Sequence, residues 1–347
     1  MSIFDLIKAP ELTSYWEEKT QDMPPYLGEE LWPADKKLGL GLDWIMGANR
    51  LPVVLKPSAF DVGAVPRARI GFDKLHTQMP FFKESTYIDE EMRQDLNRAI
   101  ETGNQAYIDA ITRRVYDDET QLLVGARARR EEMRMMALTT GTIAITANGQ
   151  AYTYDYGIPE NHKVSAESGW SDFENSDPIG ELGEWMDQVE NDTGIRPTRG
   201  VCTRKTWGYL RRNKSIIKSL FVLSNGEVGS ISDSRLTQYL ADELGLELII
   251  YNKQYIGDTG TATKFVPDDT VVLFPTGTLG KTWFGTTPEE SDLMGGNAAN
   301  VSITDVGVAV TTIQKTDPVN VETKVTMICL PSFEAANSVL IADVAAA

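Results

Sequence analysis

Apolar residues recur at helical spacing over one long stretch, from about Gln105 to Leu138. Steps of three, four and seven residues join its apolar positions, which are Ile108, Ile111, Val115, Leu122, Ala126, Met133 and Met136. This single stripe predicts a helix on the order of 50 Å long, at 1.5 Å per residue. Because the repeat is not a sustained heptad, we expect the stripe to lie across a sheet rather than in a coiled coil.

Alternating positions predict a hairpin directly after that helix. In "TIAITANGQAYTYDY", the Asn148-Gly149 pair is a strong signal for a two-residue turn between antiparallel strands. Near the C-terminus, Val325, Met327 and Cys329 alternate with other residues and predict a further strand. We expect this strand to close the first sheet of the chain.

The middle of the chain, from about 177 to 316, predicts a separate α/β module. Asp177-Pro178 is typical of a helix start and Gly194 of a helix end. A short helix around Trp207 and another that Gly245 stops are also expected. The β-prone stretches "RGVCT", "LELIIYN" and "TVVLFP" are the predicted strands of this module.

The first 86 residues predict two segments without cores of their own. Residues 1–45 combine prolines with aromatic side chains and lack strong periodicity, so we expect an extended arm that lies on another surface, such as a neighbouring subunit. In residues 46–86, "FDVGAV" and "RARIGF" predict the two strands of a projecting β-loop. An ordinary antiparallel edge of a larger sheet is the alternative for this second segment, and the sequence leaves it open.

Charge and composition narrow the classes of function. The 347-residue chain has a formal charge of −17, which repels phosphate backbones and argues against a nucleic-acid reader. No run of eighteen apolar residues occurs, and the N-terminus lacks the pattern of a secretory signal. Cys202 and Cys329 lie in apolar stretches without the histidines of a zinc site. We therefore expect buried thiols and neither a metal nor a cofactor.

A Gly-Lys-Thr triplet at 280–282, within "PTGTLGKTWFG", raises the alternative of a nucleotide-binding enzyme. A phosphate-binding loop needs a glycine five residues before the glycine of that triplet. Pro275 stands there, and proline has no N–H to donate to a phosphate. The two histidines, His76 and His162, belong to no catalytic pattern. The sequence therefore predicts a turn at this triplet and a protein that is not an enzyme.

The order of these elements resembles the major capsid protein of tailed phages, and more closely the lambda-type major capsid protein E family. The resemblance is carried by "IIYNKQYIGDTGTATKFVPDDTVVLFPTGTLGKTWFG" at 249–285 and by "VETKVTMICLPSFEAANSVLIADV" at 321–344. The stretch "RRVYDDETQLLVGARARREEM" also fits the position and character of the spine helix of that family. Order and length agree over nearly the whole chain.

The resemblance implies an α+β fold of the tailed-phage and herpesvirus-like capsid type. The implied parts are an N-terminal arm at 1–45, an extended β-loop at 46–86, a peripheral domain with the spine helix and a β-hairpin at 87–176, an axial domain at 177–316, and a C-terminal return strand of the peripheral domain at 317–347. Because the arm is too short for a built-in scaffolding segment, a separate scaffolding protein is expected.

The implied function is self-assembly into hexamers and pentamers of an icosahedral shell around packaged double-stranded DNA. The shell would be assembled in the host cytoplasm with a portal and would form part of the virion. It would contact the DNA non-specifically and no membrane, and a decoration protein is left open. The alternatives are a cellular nanocompartment shell of the same fold and, more remotely, a nucleotide-binding enzyme.

The candidate inter-subunit residues lie on the loop and beside the spine helix. On the loop they are Phe60, Val65, Arg67, Arg69, Ile70 and Phe72, and beside the spine helix they are Asp117, Asp118 and Glu119. From loop position and charge sign, we expect Arg67 and Arg69 of one subunit to pair with these acidic residues of a neighbour. At the capsomer centre, Asn213–Ser215 and Gly277–Gly280 are the candidate rim turns.

Overall fold

The computed structural model describes residues 7–45, 74–88, 90–103, 105–147, 149–221, 230–257, 260–293, 299–317 and 319–345. The helices of these ranges follow one another in the order α1 Ala9–Gln21, α2 Leu27–Leu31, α3 Glu90–Thr102, α4 Gln105–Thr140, α5 Pro178–Thr193, α6 Arg204–Leu210, α7 Lys214–Leu220 and α8 Asp233–Leu244. Short 3₁₀ turns at Glu160–His162 and Ala336–Ser338 and a π-helical turn at Glu289–Leu293 complete the helical elements.

The strands are β1 Ala34–Lys36, β2 Gly41–Ile45, β3 Lys74–Gln78, β4 Phe81–Tyr87, β5 Thr142–Ala147, β6 Gln150–Asp155, β7 Lys163–Ser165, β8 Arg199–Cys202, β9 Glu247–Ile250, β10 Gln254–Ile256, β11 Ala262–Lys264, β12 Thr270–Phe274, β13 Thr282–Phe284, β14 Asn300–Thr304, β15 Val308–Thr316, β16 Val319–Pro331 and β17 Leu340–Asp343. Three pairs, β2 with β3, β5 with β6 and β10 with β11, form two-stranded sheets. The predicted hairpin after the long helix is β5–β6, which confirms that prediction.

The chain divides into two compact units. Unit 1 comprises Met1–Leu42, His76–Met133 and Lys281–Ser332. Its sheet has the order β1-β13-β16-β15-β14, and β4 also pairs with β16. β16 is the predicted C-terminal strand, and its alternating residues Val325, Met327 and Cys329 are buried, as the pattern indicated.

Unit 2 comprises Asp43–Leu75, Arg134–Gly280 and Phe333–Ala347. Its sheet has the order β7-β17-β12-β8-β9, in which β8 and β9 are parallel and β12 is antiparallel to β8 and β17. Buried side chains of α5, α6 and α8 form the core of this unit with the sheet, among them Leu182, Met186, Trp207, Leu236 and Leu240. The strands and helices predicted for the α/β module lie in this unit, although its bounds differ from the predicted 177–316.

Local sequence signals set the ends of the helices in unit 2. The side chain of Asp177 accepts a hydrogen bond from the N–H of Gly180 and caps the start of α5. Gly194 and Gly245 follow α5 and α8 with φ values of 77° and 65°. Side chains with a Cβ rarely adopt this left-handed conformation, which explains why glycine ends both helices.

The long helix is confirmed as α4. Val115 and Met133 of its predicted apolar stripe are buried. A second set of buried side chains on α4 is charged, which the sequence did not lead us to expect: Glu119, Arg127, Arg130, Glu131 and Arg134. None of the helices in the described part of the chain combines the length and the apolar composition needed to cross a membrane.

The conformation of the arm and two predicted boundaries differ from the observed helices and strand pairing. The arm is not extended, because it forms α1 and α2. The predicted loop, at 46–86, includes most of β4, which pairs with β16 in the sheet of unit 1. The two strands predicted for the loop, "FDVGAV" and "RARIGF", lie outside the described residues, so the choice between a projecting loop and a sheet edge stays open for them. The predicted axial module ends too late, since β13 and β15 pair with β16. Short strands that alternate imperfectly do not reveal from sequence which sheet they join.

Candidate inter-subunit surfaces

Helix α1 packs on unit 1 of its own chain. The side chain of Trp16 is fully buried, and its indole Nε1 donates to a carboxylate oxygen of Asp305 at 3.4 Å. On the side toward α4, the Tyr15 hydroxyl and the Lys19 ammonium donate to Asp117 at 3.0 and 2.5 Å. The hydrogen bond from Lys19 holds the pKa of Asp117 below its usual range. The first helix of the arm is therefore anchored in cis.

Helix α2 is held by the buried charged residues of α4. The guanidinium of Arg127 makes two parallel hydrogen bonds to Glu29, at 2.7 and 2.8 Å, and lies 4.9 Å from the ring centre of Tyr26. A carboxylate oxygen of Glu131 accepts from the N–H of Gly28 at 3.1 Å. Since Gly28 is in the first turn of α2, the negative charge of this carboxylate also lies at the positive end of the helix dipole, where it stabilises the helix.

A third buried charge fixes the turn between β14 and β15. Arg130 donates to Asp305 at 2.6 Å, so this carboxylate binds both α4 and Trp16 of α1. Asp305 and Val306 have φ values of 47° and 72°, in the left-handed region that residues with side chains rarely occupy. Arg127, Arg130 and Arg134 follow one another in steps of three and four and so share one face of α4, but this spacing is equally typical of a solvated face.

The structure places only part of the predicted inter-subunit set. Phe60, Val65, Arg67, Arg69, Ile70 and Phe72 lie outside the described residues. Asp117 is about half exposed and bound to Lys19 of its own chain, whereas Asp118 is exposed. Glu119 is 4% exposed, so it is not a surface partner for an arginine of a neighbour. Side chains that follow one another on a helix point in different directions, and an acidic triplet therefore cannot form one surface.

Glu119 lies in the interior of unit 1, on the side of α4 that faces β16. Burial raises the pKa of its carboxyl to about 7, and the charge of Asp118 adds to the rise. The nearby hydroxyl of Thr323 lowers this pKa and so partly offsets the rise, although that hydroxyl forms no hydrogen bond of regular geometry among the described residues. Oε2 of Glu119 has no hydrogen-bond partner there either. The carboxyl is thus poised to change charge near neutral pH.

The Gly-Lys-Thr triplet has a structural role. The ammonium of Lys281 pairs with Asp35 at 2.6 Å. Thr282 is fully buried as the first residue of β13, and its hydroxyl donates to the carbonyl of Trp32. Both side chains bind the segment that follows α2, which accounts for the triplet without a nucleotide. Within the described ranges, no cluster of His, Cys, Asp or Glu could hold a metal ion.

The two candidate rim turns differ in exposure. Asn213 is fully buried, where it caps α7 and donates to the backbone carbonyl of Ser176, so this prediction is wrong for Asn213. In the other turn, Gly277 is exposed but Leu279 is buried. A place of the exposed turn residues at a rim stays a prediction.

Comparison with known families decides the class of protein. The model of the family described as phage major capsid protein E matches residues 8–344. The chain belongs to this phage capsid family. A search of curated protein sequences found no significant match. Membership favours a phage capsid protein over the nanocompartment shell and the nucleotide-binding enzyme that the sequence had left as alternatives.

Solved structures agree on the fold. A putative capsid protein of a prophage of Escherichia coli CFT073 is 19% identical, with a TM-score of 0.53, and the match covers 79% of this chain and 80% of the other. A phage-related protein from Bordetella bronchiseptica RB50 is 11% identical, with a TM-score of 0.58 and 98% of each chain covered. The predicted capsid fold is thereby confirmed, at identities too low to transfer individual contacts.

Proposed function

We propose that copies of this chain assemble as hexamers and pentamers into a closed icosahedral shell around packaged phage double-stranded DNA. The family match over residues 8–344 is the observation that carries the proposal. The chemistry of the described residues is compatible with it, because the sheets, helices and buried ion pairs have structural roles. The net charge of −17 would keep the inner wall from binding the packaged phosphates tightly.

The location of the arm bears on the proposed partners. Helices α1 and α2 are occupied by contacts within their own chain, so in this proposal a separate protein supplies the scaffolding function. A portal and a decoration protein are further proposed partners, and assembly takes place in the host cytoplasm.

The experiment is expression of the full chain alone and together with the neighbouring phage genes, followed by sedimentation and electron microscopy. We expect closed particles of uniform size in at least the co-expression sample. Co-expression samples that omit one gene at a time identify the scaffolding and portal proteins. A chain that stays monomeric in every sample would contradict the proposal.

The predicted contact between Arg67 and Arg69 of the loop and the acidic residues of a neighbour remains part of the proposal, without the buried Glu119. Asp118, and the exposed half of Asp117, are the remaining predicted partners of Arg67 and Arg69. Reversal of both arginines to Glu should reduce shell formation, because like charges would then face each other across the contact. Shell formation and thermal stability equal to those of the unmodified protein would remove this contact from the proposal.

A further inference from the structure

Unit 2 carries a patch whose charge is opposite to that of the protein as a whole. Residues 203–220 contain six Lys or Arg residues and no Asp or Glu, in a chain with a net charge of −17. With Arg235 of α8 they form what we call the basic patch: Arg204, Lys205, Arg211, Arg212, Lys214, Lys218 and Arg235. Three carboxylates of the same unit pair with four of these side chains, and these are Asp233, Asp269 and Glu174.

The other three side chains of the basic patch have no carboxylate partner in the described part of the chain. Arg212, Lys218 and Arg235 are all exposed. Two of them lie over aromatic rings, Arg212 at 4.7 Å from the ring centre of Phe173 and Arg235 at 5.2 Å from that of Phe221. A guanidinium held on a ring keeps its charge in a defined place and loses less conformational freedom on binding.

The same unit carries an acidic patch on α5, the C-terminal half of α8 and the start of β9. Its seven exposed carboxylates belong to Glu184, Asp187, Glu190, Asp192, Asp242, Glu243 and Glu247. Two arginines, Arg196 and Arg199, pair with three of them. The patch is therefore strongly negative.

The position of these carboxylates needs an explanation beyond solubility. Neither α5 nor α8 has a basic residue in its last turn, and both place two carboxylates there. Carboxylates at the negative end of a helix dipole destabilise the helix. A cationic partner that binds this end would remove that cost.

On α8, the residues of the basic patch and those of the acidic patch lie in different turns of the helix. Arg235 is in the first turn of α8, and Glu243 is in the last, eight residues further on. At 1.5 Å per residue, about 12 Å separate their positions along the helix axis. Complementary surfaces at separate positions on one unit favour head-to-tail contact between copies, which closes into a ring when the rotation between copies is constant.

We propose that the basic patch of one chain binds the acidic patch of the next copy around each ring of the shell. This inference rests on the proposed function and adds the surfaces that set the register of the ring. Exposed ion pairs contribute little individually. Several together steer association and exclude wrong registers, and salt weakens them.

The test uses the full chain under the conditions in which the unmodified protein assembles. The first variant reverses the three cations without a carboxylate partner (Arg212→Glu, Lys218→Glu and Arg235→Glu). The second variant reverses three anions of the acidic patch (Glu184→Lys, Asp242→Lys and Glu243→Lys). The third variant carries all six changes. A control variant in unit 1 changes net charge by the same amount as the first (Lys83→Glu, Arg98→Glu and Arg114→Glu). Circular dichroism of the unassembled chains checks that each variant folds.

Each triple reversal should weaken assembly about tenfold per contact, the factor that corresponds to roughly 1.4 kcal/mol. The third variant, with all six changes, should restore assembly, because its two patches have exchanged the signs of their charges. The control should assemble like the unmodified protein. Assembly of the unmodified protein should also slow as salt rises from 0.05 to about 0.5 M, where the Debye length falls from roughly 14 to 4 Å.

Several results would overturn the inference. One is normal assembly of both triple reversals, and another is assembly of the third variant that is no better than theirs. Particles that form normally from the first variant but retain less DNA would identify phosphate as the partner of the basic patch instead. If the unmodified chain forms no particles at all, the proposed function fails, and this inference fails with it.

Discussion

Arg127 of the long helix and Glu29 of the arm share two parallel hydrogen bonds, with a side chain of Arg127 that is 9% exposed. A paired guanidinium and carboxylate in this geometry form one of the stronger polar contacts in proteins. Loss of one partner leaves the other without compensation, and the penalty is larger for the more buried group. The pair therefore makes the arm part of the folded unit.

Substitution Glu29→Gln should lower the free energy of unfolding by about 1–3 kcal/mol, because it leaves the buried Arg127 without its counter-ion. Arg127→Met should cost less, since Glu29 is about one-third exposed and stays hydrated. Urea denaturation of both variants and of the double variant measures the coupling. Arg114→Met, at an exposed position of the same helix, is the control and should change stability by less than about 0.5 kcal/mol.

The burial of Trp16 predicts that the arm is ordered in an isolated chain. Limited proteolysis at high dilution should leave Ala9–Gln21 intact in the unmodified protein. Trp16→Ala should weaken the docking of this helix by about 3–5 kcal/mol and expose it to cleavage. Glu17→Ala, on the exposed side of the same helix, should behave like the unmodified protein. Rapid cleavage of the unmodified arm in the monomer would instead support an arm that is ordered only by neighbouring subunits.

Helices with complete local signals could be predicted from the sequence. The apolar stripe located α4 to within two residues at its C-terminal end, and Asp177 and Gly194 bracketed α5. These features depend on residues close together in the chain. The hairpin at Asn148-Gly149 followed for the same reason.

Features that depend on partners distant in sequence could not be predicted. Arg127 and Arg130 have the composition of a solvated helix face, and only the positions of Glu29 and Asp305 make them interior residues. The arm was predicted as extended because its apolar residues lack a long periodic pattern, although a helix of 13 residues needs only a few to dock. Assignment of β13 to the sheet of unit 1 likewise requires knowledge of β16.

The buried carboxyl of Glu119 predicts a pH dependence of stability. Its folded pKa of about 7 exceeds the usual value of 4.5 for a glutamate carboxyl, so between these two pH values the folded chain holds a proton that the unfolded chain releases. The contribution of this group to stability is therefore present below about pH 4.5 and is lost as pH rises through 7. The loss amounts to roughly 3 kcal/mol, at about 1.4 kcal/mol for each unit of difference between the two pKa values.

Unfolding of the unassembled protein at pH 5, 6, 7 and 8 measures this effect. Glu119→Gln, which mimics the protonated carboxyl, should match the unmodified protein at pH 5 and exceed it in stability at pH 8. Glu101→Gln, an exposed change of the same kind on α3, should leave the pH dependence unaltered. If the free energy of unfolding depends on pH in the same way for the unmodified protein and for Glu119→Gln, the carboxyl is hydrated rather than buried.

Two glycines of unit 1 should respond in opposite directions to the same added methyl group. A Cβ at Gly307 would lie 2.6 Å from the Cβ of the buried Phe284, closer than van der Waals contact allows. Gly307→Ala should therefore destabilise the unit by about 1–3 kcal/mol. At Gly125, in the interior of α4, a Cβ would meet no atom within 4 Å.

Gly125→Ala should stabilise the protein by about 0.5–1 kcal/mol, because alanine loses less backbone entropy than glycine in a helix. Thermal unfolding of the two variants side by side distinguishes a packing effect from a general effect of alanine. Equal changes of the unfolding temperature, with the same sign in both variants, would show that Gly307 is not packed against Phe284. The contact of the β14–β15 turn with β13 would then have to be revised.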